Sequence, residues 1–258
     1  MNYRRRKLGQ HFLKDPRIYD RMIKYGKISK NDVVLEVGAG RGELTERLAE
    51  KAGEVIAIEL DEALAEEAEK RLRNHSNVKL LVGDALKLKP SGFNKVVSNP
   101  PYSISTKLME WLIESNPELM VLTLQKEFTS KLVAEPGSPK YLYISFLSNL
   151  AYKTRILEIV PRSLFIPPPK IDSTIILMER EASIKLDEFE KKILKNLFTR
   201  RKQKLNRVLR DMLKKTPHLE GVLSRISGET LSKRIFQLSP TELLEVANAL
   251  KQAISSPG

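Results

Sequence analysis

Val33-Val34-Leu35-Glu36-Val37 runs straight into Gly38-Ala39-Gly40-Arg41-Gly42, and Glu43 to Lys51 follows with Leu44 and Leu48 at helical spacing. The first five residues are mostly β-branched and apolar, which predicts a buried strand. The three glycines predict a tight turn, since glycine alone adopts left-handed backbone at little cost. Such a turn brings the backbone close to a ligand, and the helix behind it offers N–H groups that have no partner of their own. Strand, glycine turn and helix in this order open an α/β fold, whose ligands sit at the carboxyl ends of parallel strands.

Outward from this unit the pattern repeats. Val55 to Glu59 reads as a second strand, and Glu62 to Arg73 as a charged helix with Leu64, Ala65, Ala68 and Leu72 on one face. Val78 to Val82, Lys95 to Ser98, Met120 to Leu124 and Ser173 to Met178 read as further strands. After Arg180 the strand signals stop. Phe189, Ile193, Leu197, then Leu205, Val208, Leu209 and Met212 recur at three- and four-residue intervals, and Ser239-Pro240-Thr241-Glu242 is a capping box that opens a last helix. The expectation is an α/β domain over residues 1–180 and a small all-helical C-terminal domain over 181–258.

The glycine turn identifies the ligand class. A dinucleotide fingerprint, G-x-G-x-x-G, needs its third glycine where Glu43 stands; here it is Gly42, one residue early. A G-x-G-x-G turn after an acidic residue, Glu36, fits S-adenosylmethionine better, with Gly38 and Gly40 at the closest approach. Glu59 ends the second strand, where a carboxylate accepts both ribose hydroxyls, and Asp84 ends the third, where it can accept an adenine amino group. Each carboxylate alone reads more readily as a solvated strand end than as a ligand. On three successive strand ends they form a nucleoside-cofactor site.

Asn99-Pro100-Pro101-Tyr102 follows the fourth strand directly. The lone pair of an exocyclic adenine nitrogen is delocalised into the ring. Acceptors for both of its N–H groups favour a pyramidal nitrogen able to attack. The Asn99 side-chain oxygen and the Pro100 carbonyl are suitable acceptors, and proline has no N–H to compete. Tyr102 offers a face for a planar base. Attack on a sulfonium methyl then needs orientation and electrostatics rather than a covalent intermediate.

These residues resemble the small-subunit ribosomal RNA adenine dimethyltransferases in their archaeal form, over nearly the whole chain. Gly9-Gln10-His11-Phe12-Leu13 is similar to the family's N-terminal cofactor motif, where bacterial members often carry Asn in place of His. Bacterial members also often have Leu where Pro100 stands. Phe165-Ile166-Pro167-Pro168-Pro169-Lys170-Ile171-Asp172-Ser173 resembles the late motif, whose Phe closes over the target base opposite the tyrosine. The resemblance implies a Rossmann-like S-adenosylmethionine-dependent methyltransferase domain, with His11, Leu13, Gly38, Glu59, Asp84 and Asn99 on the cofactor. It implies Asn99, Pro100, Tyr102 and Phe165 at the base. Read by themselves, His11 and Leu13 serve equally well as packing residues, and Phe165 is by default a core aromatic.

Charge points to the partner. The 258 residues carry 45 Lys+Arg against 32 Asp+Glu, a formal +13. Such a surplus favours a polyanion, nucleic acid before an acidic membrane. Residues 195–215 hold nine bases and one acid, Asp211. Arg200, Arg201, Lys202, Lys204 and Arg207 are the candidate phosphate contacts, with Arg4, Arg5, Arg6 and Lys7 as a second basic arm. A solvated face that keeps the chain soluble is the plainer reading of the same cluster.

The chain has no Cys, which excludes disulfides, cysteine-ligated metal and a cysteine nucleophile. Three His without metal-ligand spacing predict no metal site, and the lack of a long apolar run predicts no membrane span. The start lacks the apolar core of a secretory signal. The expectation is a cytoplasmic monomer that dimethylates N6 of two adjacent adenosines near the 3′ end of small-subunit rRNA, within a pre-ribosomal small subunit. Methylation of large-subunit rRNA or DNA adenine, or of a protein glutamine amide, uses the same Asn-Pro-Pro-Tyr chemistry. A non-catalytic RNA-binding assembly factor is the reading of a different class. The basic helical C-terminus argues against a protein substrate, and the intact Glu59, Asp84 and Asn99 argue against loss of the cofactor.

Overall fold

The β-branched runs become strands. A computed structural model of the chain describes residues 11–183, 185–213 and 217–255. Its strands are β1 (Phe12–Leu13), β2 (Val33–Val37), β3 (Glu54–Glu59), β4 (Val78–Val82), β5 (Lys95–Ser98), β6 (Leu119–Gln125), β7 (Tyr152–Val160), β8 (Phe165–Ile166) and β9 (Ser173–Arg180). Seven of them form one sheet in the order β4-β3-β2-β5-β6-β9-β7. The first five of these pair in parallel, while β9 runs antiparallel to both β6 and β7. The order reverses beside β2, so β2 and β5 diverge into a switch-point crevice at their carboxyl ends. This is the expected Rossmann-like α/β fold with a mixed sheet.

The residues fall into two compact units. The first holds the whole sheet, up to Thr129 and again over Tyr152–Glu181. Its core joins Val34, Val55, Ala57, Val97 and Val121 of the sheet to Ile18 and Met22 of the helix Arg17–Tyr25 and to Leu44 and Leu48 of the helix Glu43–Lys51. Full burial of each large aliphatic side chain contributes about 1.5–3 kcal/mol. The helix Glu62–Leu72 begins at Asp61, whose carboxylate accepts from the N–H groups of Ala63 and Leu64. It buries Leu64, Ala65, Ala68 and Leu72, the face read from its spacing.

The second unit comprises Ser130–Ala151 together with the residues from Ala182 onward. Residues 130–151, which the sequence reading leaves in the α/β domain, therefore belong with the helices. The reason is aromatic packing: Tyr141, Tyr143 and Phe146 lie 5.7–6.0 Å, ring to ring, from Phe198 of the helix Glu188–Thr199. That helix is opened by a capping box between Asp187 and Glu190. The last helix, Pro240–Ser255, has the Ser239–Glu242 box read from the sequence: the Ser239 N–H donates to the Glu242 carboxylate, and the Glu242 N–H to the Ser239 hydroxyl. Among the described residues no helix is long and apolar enough to cross a membrane.

Candidate active site

The glycine turn is held by the neighbouring strand. The N–H groups of Gly38 and Ala39 both donate to the Ile58 carbonyl, at 2.8 and 3.0 Å. Gly38 has φ +84° and Gly40 φ +59°. A Cβ at Gly38 would lie 3.0 Å from Pro101, and one at Gly40 2.9 Å from the Phe12 ring. Left-handed backbone strains any side chain at either position, and its Cβ would press on the neighbouring ring.

Two carboxylates are buried beside this turn. Glu59, 3% exposed, accepts from the N–H groups of Gly40 (2.8 Å), Leu60 (2.9 Å) and Asp61 (2.9 Å). Burial raises its pKa, and the three N–H groups oppose that rise. Glu36, 2% exposed, accepts from the Thr45 hydroxyl at 2.7 Å. Burial pushes its carboxyl up to about 8, with the Glu59 charge adding to the effect. Two acids in one desolvated place favour a cationic ligand, which offsets the cost of ionising them.

Asn99 closes the other side. Its amide N–H donates to the His11 main-chain carbonyl at 2.9 Å, while its Oδ1 is buried with no hydrogen-bond partner among the described residues. A buried acceptor left unpaired costs about 1–3 kcal/mol. The His11 ring donates its Nδ1–H to the Pro167 carbonyl, 2.7 Å away, so that the N-terminal segment bridges the Asn99 loop and the late motif.

These groups line one cavity of about 430 Å³, which takes in His11, Leu13, Gly38, Gly40, Glu59, Asn99 and Pro100 of the expected residues. Glu36, Tyr19, Pro101 and Ile166 line it too. Three expected residues lie elsewhere. Asp84 caps the short helix Ala85–Leu88 by accepting from the Leu86 N–H, and it is not on the cavity wall. Tyr102 donates to or accepts from the Ser173 hydroxyl at 2.6 Å, and its ring is stacked on that of His11 at 5.3 Å. Phe165 is wholly buried and meets Tyr102 edge-on at 6.4 Å.

The cause is strand alternation. β8 pairs with β1, Phe165 opposite Leu13 and Ile166 opposite Phe12. Phe165 therefore turns inward to the core and Ile166, 56% exposed, turns outward to the cavity. Ile166 is a wall that the sequence reading passes over. The signal that would have found it is the period of two in a strand only two residues long.

A sequence model of the ribosomal RNA adenine dimethylases matches residues 1–252. The chain belongs to this family. A probable ribosomal RNA small subunit methyltransferase A of Methanopyrus kandleri is 34% identical, over 97% of this chain and 93% of its own length. Its counterpart in Methanosarcina barkeri is 38% identical, over 93% and 85%. Among solved structures, a dimethyladenosine transferase from Plasmodium falciparum is 28% identical with a TM-score of 0.81, covering 94% of this chain and 98% of that one. The 23S rRNA methyltransferase ErmE is 25% identical with a TM-score of 0.64, covering 93% and 100%. Like its family, the enzyme uses S-adenosylmethionine. The buried acids and the unpaired Asn99 oxygen suit that cofactor, whose sulfonium and ammonium are cationic and whose substrate brings an amine.

The expected phosphate contacts of this family member lie in the helical unit and differ in kind. Arg200 is engaged internally: it donates to Gln203 at 2.8 Å and pairs with Asp211 at 2.5 Å. Lys202, Lys204 and Arg207 are exposed, and Arg201 is half-exposed. None of these four pairs with a carboxylate among the described residues. Arg4, Arg5, Arg6, Lys7, Gly9 and Gln10 lie outside the described residues, as do Lys214 and Lys215 of the basic run. No group of three or more metal-capable side chains occurs among the described residues.

Proposed function

We propose that the enzyme transfers methyl groups to N6 of two adjacent adenosines near the 3′ end of small-subunit rRNA, on a pre-ribosomal small subunit in the cytoplasm and as a monomer. The observation that carries this reading is the buried Oδ1 of Asn99, unpaired among the described residues, on a side chain that shares a cavity with Glu59 and the glycine turn. Bound S-adenosylmethionine supplies an electrophilic methyl on its sulfonium. Glu59 meets the ribose hydroxyls while its N–H contacts fix the carboxylate, and Gly38 and Gly40 allow the backbone to approach. Asp84 turns to the adenine amino group, and His11 and Leu13 close the methionine end.

Asn99 Oδ1 and the Pro100 carbonyl accept from the target amine and so free its lone pair. Tyr102 stacks on the base once the His11 ring has moved aside. Phe165 joins it as a second wall only through a shift of β8, which in the present state offers Ile166 instead. Arg201, Lys202, Lys204 and Arg207 hold phosphates, and Arg200 shapes the turn that carries them.

Mass spectrometry of rRNA tests the proposal. Small subunits, assembled and partly assembled, are incubated with the enzyme and labelled cofactor. Two neighbouring N6,N6-dimethyladenosines near the 3′ end are expected. Label found only in large-subunit rRNA, or a product that stops at a single residue, would overturn it.

A further inference from the structure

The helical unit contains a second cavity, of about 330 Å³, lined by Pro139, Arg201, Lys202, Arg234 and Phe236. Main-chain bonds join its three segments. Phe236 donates to the Arg201 carbonyl at 3.1 Å, Gly137 to the Phe236 carbonyl at 2.7 Å, and Ile235 to the Gln203 carbonyl at 3.1 Å. The cations are also held. The Arg201 guanidinium reaches the Pro139 carbonyl at 3.5 Å, and that of Arg234 donates to the Lys202 carbonyl. One such bond leaves a guanidinium most of its five donors. No carboxylate lines the cavity, and none of the three cations has an acidic partner among the described residues.

A half-buried phenyl ring beside a proline, rimmed by two arginines and a lysine, is complementary to a planar base joined to a phosphate. An acidic peptide would use the rim and leave the ring idle. We propose that this cavity binds one unpaired nucleotide of an RNA chain, its base on Phe236 and its phosphate between Arg201 and Arg234. The inference rests on the reading that the helical unit docks RNA. It adds a base-recognition site to a surface otherwise defined by charge, and it gives Arg234 and Phe236 a role that the basic run does not contain.

Binding of the full chain to two fluorescent twelve-nucleotide probes, oligoadenylate and its abasic counterpart, separates the possibilities. Phe236→Leu is expected to weaken oligoadenylate binding about 5- to 150-fold, the range of one stacked base, and to leave the abasic probe unchanged. Arg234→Gln is expected to weaken both and to flatten the slope of log affinity against log salt by about 0.7. Equal effects of Phe236→Leu on both probes, or none, would overturn the pocket. Displacement of oligoadenylate from the cavity by polyglutamate at equal charge would overturn it too, in favour of a protein partner.

If Arg201, Lys202 and Lys204 replaced by Gln flatten the salt slope while Phe236→Leu does nothing, RNA docking stands and the pocket fails. An unchanged slope in that triple variant sinks the docking reading itself. Should Phe236→Leu not fold, photocrosslinking of the unaltered enzyme to 4-thiouridine-substituted RNA decides the matter. Recovery of the peptide holding Arg234 and Phe236 supports the site, and crosslinks confined to other peptides overturn it.

Discussion

Glu59 and Arg201 both carry charge next to the end of an element, yet their surroundings are opposite. Glu59 is sealed from water and fixed by three main-chain N–H groups. Arg201 stands at the surface, tied by one long bond to a carbonyl. The acids of the α/β unit are desolvated, so they act through geometry and through their protonation state, and salt screens them little. Lys202, Lys204 and Arg207 of the helical unit are exposed and unpaired with any carboxylate among the described residues, so they act through counterion release, and salt dominates. Chemistry and docking thus respond to different variables, pH for the first and ionic strength for the second.

The widest effect expected of this contrast is at Glu36. Its folded pKa of about 8 stands above the ordinary carboxyl value of 4.5. The protonated form is therefore favoured by folding. Relative to Glu36→Gln, its contribution to stability is fully present below pH 4.5 and is lost as pH rises through 8, a swing of up to about 5 kcal/mol. Chemical denaturation of both proteins without cofactor across this window measures it. Saturating S-adenosylmethionine should shrink the swing, since a cation near Glu36 favours the ionised form. A flat difference across the window would place Glu36 in water and break the contrast.

Asn99→Ala comes next. Removal of one preorganised hydrogen-bonding group from a reacting centre costs about 10²–10³ in rate, and single-turnover methyl transfer should fall by that much. Affinity for RNA, and its salt slope, should not change. A parallel loss of RNA affinity would show that the two regions are not separable in this way.

The surface cations sharpen the comparison within one turn. Gln in place of Arg201, Lys202 or Lys204 should flatten the salt slope by roughly 0.7–0.9 per phosphate contact removed. Arg200→Gln should instead lower the melting temperature, because it abandons Asp211, and leave the slope alone. The reverse pattern would make Arg200 the docking residue. The smallest effect is expected of Tyr102→Phe, which gives up the bond to Ser173 and about 0.5–1.5 kcal/mol of stability but keeps the ring. Methyl transfer should persist there and collapse in Tyr102→Ala. Equal loss in both would refute stacking.

The parallel strands were legible because a strand buried on both faces writes itself as a continuous β-branched run, as at Val33 to Val37 and Val55 to Glu59. β7 was not, since an edge strand spells Tyr-Lys-Thr-Arg-Ile-Leu-Glu-Ile-Val, with charges on its open side. The pair β1 and β8 is too short for any period to register. The helix Tyr143–Ala151 is largely apolar, but which core it joins is decided by Phe198, far along the chain. In the site, the glycines, Glu59 and Asn99 are visible because each is imposed by local geometry. The inward turn of Phe165 and the pairing of Arg200 with Asp211 depend on neighbours that spacing alone does not reveal.

The bond from Asn99 to residue 11 ends on a main-chain oxygen. Every amino acid supplies that atom, so side-chain drift at position 11 leaves the orientation of Asn99 intact. Insertion or deletion does not. Loss of one residue between the His11 carbonyl and the Arg17–Tyr25 helix would slide β1 along β8 by about 3.3 Å and turn its faces over. The aim of Asn99 is thus indifferent to the side chain at residue 11 but strict in the length of the segment, and register slips too small to unfold the sheet would still misaim the amide.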